Sequence, residues 1–509
     1  MRSLYSSMLP YFQMMQVSGT TFQLASIVFK MPWSIKGFIG AVSDIFPVGG
    51  YHKRAYLIFA SFVGTIAFAI LAALPLQELG AARAWPIAVL FCAANFLVAT
   101  FDLLCEGKYS ELMRVEMAGS EVLTFVWTCM MCGSLFSAIV TGGMIDTWGP
   151  RPLLGICVPL AMLACWRTCA GDLPEIPAKS RASLLEKLRA EPGLFILAGL
   201  MGTGGLVIVI CVTFWGAMVR TIATIGVSAV LIAVSFRTMP AILAKGNLYM
   251  FLASAAYIDV SGPLSYFYTG TERCVADGPH FSYSYYIAVS HVVGALGSIA
   301  GAVMFQYVQT WSFRSAFCLT ALMQVLASGF DLLVVHRVTV RWGFSDEGTF
   351  LFGDAACQSM AAMMAGMPMA MLTARLCPSG AEATVFAILA GFQNFGCSVG
   401  SVLGALLTEA LGINANVAGP CNFDQLGNLV FLAHCVGPVV VLPLIYCLVP
   451  AVGMTEEVLC ERPSAPTSVS SSQTSLHTPH SCDSLHAVLL SSEYRGMNDG
   501  PAKGCLAKQ

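Results

Sequence analysis

Charged side chains are scarce in this sequence: 26 Lys and Arg and 28 Asp and Glu make up 11% of 509 residues, against about a quarter in a soluble globular protein. That scarcity excludes a water-soluble fold. Neither sign is in excess, the formal net charge being −2, so there is no basic stripe to neutralise phosphates and no nucleic-acid partner is expected. No His-rich, Ser/His or metal-ligand constellation interrupts the apolar runs, which argues against a membrane-embedded enzyme, and no cofactor signature is present. The GTGG cluster at 202–205 lies inside an apolar run without a following Lys-Ser/Thr pair, so it is not a phosphate loop. The first residues lack the basic region and apolar core of a signal peptide. The 19 cysteines fall almost entirely inside apolar runs, where a thiol acts as a small hydrophobe rather than as part of a disulfide scaffold. The C-x-x-C of Cys129 and Cys132 has no second pair to complete a redox or metal site.

What the chain has is hydrophobic length, 57% of its residues. Apolar stretches long enough to span a bilayer occupy 19–43, 54–77, 84–106, 120–143, 151–170, 193–218, 220–240, 246–269, 282–306, 314–337, 348–375, 382–411 and 426–451. With the turn 44–53 in the cytosol, Lys53, Arg54, Lys108, Arg114, Arg375 and most other cations fall on the cytosolic side, as the positive-inside bias requires. The polar stretch 171–192 is expected to be a short amphipathic cytosolic helix at the membrane surface. Residues 452–509, rich in Ser, Thr and Pro, are expected to form a disordered cytosolic tail.

An internal repeat organises these spans. Arg114, Gly119, Glu121 and Phe125 match Arg375, Gly380, Glu382 and Phe386 at an offset of 261, which also relates Gly143 to Gly404 and Gly40 to Gly301. One offset recurring in three regions indicates two parallel halves, the arrangement of a secondary transporter of the major facilitator type. The expected fold is therefore an all-α multi-pass bundle of about thirteen spans. It comprises an N-terminal bundle (1–170), a linker (171–192), two additional membrane helices (193–240), a C-terminal bundle (246–451) and the tail. By the same offset only MRSLYSSM corresponds to the first span of the second half, so the first helix is expected to be incomplete.

Charges inside the spans are the candidate functional residues, because an intramembrane charge is costly unless paired or lining a cavity. Lys36 sits about two turns before Asp44, and either serves substrate or counter-ion binding or snorkels to the interface. Asp102 and Glu106, four apart, share one helix face and repel unless a proton or a cation intervenes, as a proton-coupled carrier would use. Asp259 is mid-span, ahead of Gly262-Pro263, which is expected to interrupt the helix toward a central cavity. Tyr266, Phe267 and Tyr268 follow, either as a stacking surface for a flat ring or as an interfacial belt. Asp354 is another buried acid, a candidate partner for Lys36 or Arg375. Asp44, Lys53 and Arg54 flank one turn and form a candidate gate at the helix ends, or merely anchor those ends to water; Arg114, Glu121 and Glu382 of the repeated turn join that gate. His291 and His434 read as hydrogen-bonded core residues, and the glycines at 297, 301, 396, 400 and 404 as close-packing positions. Cys274 and Cys421 lie in outward loops and are candidates for a disulfide.

The strings PWSIKGFIGAVSD with GYHKRAYL, DLLCEGKYSELM, and ARLCPSGAEATVFAILAGFQNFG resemble the folate-biopterin transporter family of the major facilitator superfamily, over residues 16–450. The resemblance implies a carrier of folates or unconjugated pterins, coupled to protons, in a plasma membrane. It places the family's charged signature on Lys36, Asp44, Arg54, Asp102, Glu106, Gly107, Lys108, Arg375 and Glu382. The residues are compatible with such a solute: a carboxylate such as Asp102 or Asp259 accepts two hydrogen bonds from a pterin edge, and Lys36 or Arg375 attracts the anionic folate tail. A carrier for another organic solute such as a nucleoside, and a non-transporting receptor, are the alternatives.

Overall fold

The computed structural model describes residues 2–116, 119–173, 175, 189, 192–376, 382–416 and 421–454. The tail beyond Met454 and most of the linker expected at 171–192 lie outside the described residues. Eleven helices among the described residues are long and apolar enough to cross a membrane, and the protein is an integral multi-pass membrane protein of all-α architecture.

The first half contains α1 (Arg2–Met14), α2 (Gly19–Ser34), α3 (Lys36–Ile45), α4 (Arg54–Ala73), α5 (Ala84–Glu116), α6 (Gly119–Trp148) and α7 (Pro150–Ala170). Two helices follow, α8 (Pro192–Phe214) and α9 (Ala217–Thr238). The second half contains α10 (Ala241–Ala256), α11 (Ser261–Thr269), α12 (Ser290–Val308), α13 (Phe313–Val335), α14 (Ser359–Leu376), α15 (Glu382–Ala410) and α16 (Gly437–Leu448). Short π-helical stretches at Ser284–Val289, Leu351–Gln358 and Phe431–Val436 lead into α12, α14 and α16. The repeat is visible in packing: α2 lies on α5 as α12 lies on α14, and α4 on α5 as α13 on α14.

Several of the spans expected from hydropathy are interrupted helices, among them those at 19–43, 246–269 and 348–375. The run at 19–43 is divided at Ile35 into α2 and α3, after Pro32 removes a backbone donor near the end of α2. The run at 348–375 begins with a π-helical stretch, whose extra residue per turn rotates the side chains that follow. At the N-terminus, helix α1 extends to Met14, beyond the eight residues that the repeat left for it, and Leu4, Tyr11 and Phe12 are fully buried.

Close approach by glycine sets the helix spacing. Gly297 and Gly301 of α12 rest against backbone carbonyls of Ala356 and Met360, and Gly396 of α15 against that of Phe251. A Cβ at any of these positions would collide with backbone, so the stripe is a packing device. The GTGG cluster does the same for α8: a Cβ on Gly202 would lie 2.6 Å from the Phe38 ring. In this way α8 lies against α2 and α3 while α9 packs on α10 and α15, so the additional pair touches both halves. Arg220 of α9 fixes that contact by a 2.6 Å ion pair to Glu409 at the end of α15.

Candidate functional site

The break between α2 and α3 delivers Lys36 to the inside of the bundle. Its side chain is 10% exposed and its ammonium pairs with the Asp102 carboxylate of α5, itself 27% exposed. The same ammonium stands 4.1 Å from the centre of the Trp33 ring, a cation–π contact that helps to compensate its burial. Trp33 is held by its indole N–H donating to Asn95 (3.1 Å) and its carbonyl accepting from Asn394 of α15 (3.2 Å). Glu106, one turn beyond Asp102, is close enough for the charges of both Asp102 and Lys36 to act on it. Lys36 thus pairs with one carboxylate and acts on the second through its charge.

Asp259 occupies a helix break, but at Tyr257–Val260, ahead of Gly262-Pro263 rather than at it. The freed Asp259 carbonyl accepts from the Gln23 side-chain amide (2.7 Å), and Gln23 in turn accepts from the Gly262 N–H (3.1 Å). The Asp259 carboxylate accepts from the Ser401 hydroxyl (2.6 Å) and the Ser261 N–H (2.9 Å). A residue of α2 therefore ties the backbone of the second half to the first. Gln23 was not singled out from sequence, although the polar face Gln23, Ser26, Lys30, Trp33 at helical spacing would have shown it.

Lys30, also missed, is exposed on a helix whose other residues are buried or half-buried. Its charge acts on Tyr5 of α1, on Asp259 and on Cys397 of α15. In the deeply buried α15, Gln393 and Cys397 are likewise exposed between buried neighbours. These groups come from both halves, so the accessible space they share is a polar cleft between the halves.

A second acidic centre lies in the C-terminal half. Asp354, expected to partner Lys36 or Arg375, lies beside Asp331 of α13, which is 2% exposed and was not noticed in sequence; the Arg375 side chain lies outside the described residues. Lys36 is already engaged by Asp102. Asp331 accepts from the Tyr268 hydroxyl (2.7 Å), and the charges of both acids reach Tyr257, Tyr268 and Tyr286. No Lys or Arg among the described residues pairs with either acid. The run Tyr266, Phe267 and Tyr268 is neither a stacking surface nor an interfacial belt: all three are buried, with Tyr266 donating to the Val17 carbonyl (2.7 Å) and Phe267 packing on Phe423. The two tyrosine hydroxyls are satisfied inside the bundle, by the Val17 carbonyl and by the Asp331 carboxylate of α13. His434 is a core residue, stacked on Tyr257 at 4.3 Å and bonded to the Ile258 carbonyl (3.1 Å).

The candidate gate divides. Arg54 donates to the Cys169 carbonyl and stacks on Tyr51, while Lys53 reaches α5 at Gly107 and Asp44 is exposed at the end of α3. The Glu175 carboxylate accepts from the N–H groups of His52, Lys53 and Arg54 at 2.7–3.0 Å, satisfying the orphan donors that open α4. The side chains of Arg114, Glu121, Arg375 and Glu382 lie outside the described residues.

At the opposite end polar contacts join the halves. Asp146 accepts from the N–H groups of Tyr283 (3.0 Å) and Ser284 (2.9 Å), where the segment leading into α12 begins. Gln13 donates to Thr269 (2.9 Å) and accepts from Tyr283, whose hydroxyl is pushed up to about 12 by burial and by the Asp146 charge. Cys274 and Cys421 are joined in a disulfide at this end.

The family model described as the BT1 family matches residues 3–461. A probable folate-biopterin transporter 2 of Arabidopsis thaliana is 24% identical over 406 residues, 79% of this chain and 71% of that protein. The folate-biopterin transporter of Synechocystis sp. (strain ATCC 27184 / PCC 6803 / Kazusa) is 22% identical over 406 residues, 79% and 69% of the two chains. Among solved structures, the POT family transporter PepTSo is similar in fold with a TM-score of 0.60 at 12% identity, over 90% of this chain and 97% of that one. The inward-open xylose transporter XylE from E. coli gives 0.52 at 12% identity, over 88% and 95%.

Proposed function

The chain belongs to the BT1 family, and from that premise we propose that this membrane transporter carries folate or pterin-type solutes through the cleft between its halves by alternating access. The observation that carries the reading is the cleft itself. Lys30, Gln393 and Cys397 are exposed on helices otherwise almost wholly buried, on the same two helices whose Gln23 and Ser401 bind Asp259. Polar groups facing shared aqueous space inside a bundle are what a solute pathway requires. Asp259 offers a carboxylate to the donor edge of a pterin ring, and Trp33 and Tyr5 offer aromatic surface. The names of the curated relatives support this substrate class.

Alternating access is supported by the contacts that close one end. Asp146 and Gln13 hold the second half through hydrogen bonds, and such contacts break and reform at small cost in the presence of water. Proton coupling is supported by acids in both halves, Asp102 with Glu106 and Asp331 with Asp354, where a proton changes the local charge balance. A plasma-membrane location completes the proposal.

Uptake of labelled folate and labelled biopterin, at acidic and neutral pH, in cells lacking their own transporter tests the reading. Saturable uptake of at least one compound, faster at acidic pH, is the expected result. Surface-expressed protein that takes up neither overturns the pteridine assignment in favour of another organic solute, and binding without uptake marks a receptor.

A further inference from the structure

Lys30 is a lysine in the interior of a membrane bundle, and α2 leaves it exposed while burying its neighbours Phe29 and Met31. A lipid-facing ammonium would be electrostatically remote from the inter-half groups, yet the charge of Lys30 acts on Tyr5, Asp259 and Cys397, which come from three separate parts of the bundle. It therefore projects into the cleft. Among the described residues Lys36 is engaged by Asp102 and Arg220 by Glu409. Among the described residues no carboxylate forms an ion pair with Lys30. The nearest candidate, Asp259, already accepts from the Ser401 hydroxyl and the Ser261 N–H.

A cation held at this depth without an ion-pair partner is costly unless a mobile counter-ion joins it. The charge of Asp259 moderates that cost at longer range when the cleft is empty, and an anionic solute removes it when the cleft is filled. We propose that Lys30 is the anion-recognising residue of the cleft and that it selects carboxylate-bearing pteridine conjugates, the folate class, over uncharged pterins. This rests on the pteridine reading above and sharpens it. The ammonium meets a carboxylate of the conjugate while the ring lies toward Asp259, so the two charges address opposite ends of one solute.

The test compares wild type, Lys30→Gln and Lys30→Arg for uptake of labelled folate and labelled biopterin. Loss of a charge-assisted contact is expected to raise the KM for folate by about tenfold or more in Lys30→Gln and by about twofold or less for biopterin, with Lys30→Arg closer to wild type for folate. Equal losses for the two solutes, or no change for folate, overturn the assignment. A wild-type chain that takes up neither compound defeats the pteridine reading before any variant is compared, and the selectivity proposal falls with it. If Lys30→Gln reaches the membrane but is inactive, the rate at which N-ethylmaleimide modifies Cys397, followed by mass spectrometry of that thiol, decides the matter. In wild type both folate and biopterin slow the modification. In Lys30→Gln protection by biopterin persists and protection by folate is lost. Equal protection by folate in both proteins overturns the proposal.

Discussion

The two halves handle buried acid differently. In the N-terminal half Asp102 and Glu106 share the charge of Lys36, which also stands over Trp33. In the C-terminal half Asp331 and Asp354 face each other among tyrosines, with hydroxyl donors and no described cation in an ion pair with either. Two carboxylates without a cation in a medium of low dielectric conflict whenever both are charged, and a single proton ends the conflict. The same duplicated framework thus sets a lysine beside its acids on one side and, among the described residues, only hydroxyl donors beside them on the other. The groups around the C-terminal pair are Tyr257, Tyr268, Tyr286 and Cys435.

The largest effect is expected from removing the fixed cation. Lys36→Met takes from Asp102 its ion-pair partner inside the bundle and is expected to cost about 3 kcal/mol of stability, with uptake lost. The double variant Lys36→Met with Asp102→Asn is expected to recover most of that stability in a thermal-unfolding measurement, because it removes the stranded charge too. Failure of the double variant to recover would mean that Lys36 acts by packing on Trp33 rather than through Asp102.

The second effect separates the halves by pH. Protonation relieves the Asp331–Asp354 conflict, so wild-type uptake is expected to rise as pH falls. Asp354→Asn removes one of the charges permanently and is expected to bring the ratio of acidic to neutral uptake to about one, while Asp102→Asn leaves the acid stimulation in place. The reverse pattern, flattening by Asp102→Asn alone, would move the proton to the N-terminal half.

Smaller changes are expected at the ends of the bundle. Asp146→Ala withdraws the acceptor from two N–H groups across the half-to-half contact and is expected to weaken closure at that end by about 1 kcal/mol, read as faster labelling of a cysteine placed there. Glu175→Ala strands three N–H groups at the start of α4, within the first half alone, and is expected to lower stability by about 1 kcal/mol without changing that labelling rate. The disulfide closes a separation of 147 residues, both of its ends lying in the second half. Replacing Cys274 and Cys421 by Ser is expected to lower the unfolding temperature by about 3 °C.

Much of this was legible in sequence. Apolar length gave the multi-pass α-helical architecture, because a bilayer fixes both the length and the hydrogen-bonding requirement of its spans. Lys36, Asp102, Glu106, Asp259 and Asp354 stood out as charges in apolar runs. Their pairing was not legible: Lys36 meets Asp102 instead of Asp354 because the kink at Ile35 turns it toward α5, and no periodicity encodes a kink direction. Tyr266, Phe267 and Tyr268 look amphipathic in one dimension, yet all three are buried: Val17 and Asp331 accept from the two tyrosine hydroxyls, and Phe267 packs on Phe423. Lys30 was masked by the apolar residues on either side of it in the chain, and only the helical spacing of Gln23, Ser26, Lys30 and Trp33 marks the polar face it belongs to.

The most direct test of a carrier with one cleft that opens alternately to each side is entrance counterflow in proteoliposomes containing the purified full chain. Vesicles preloaded with unlabelled folate and diluted into labelled folate are expected to accumulate label transiently above equilibrium, because the loaded cleft returns occupied. A monotonic approach to equilibrium, unaffected by preloading, would contradict the account.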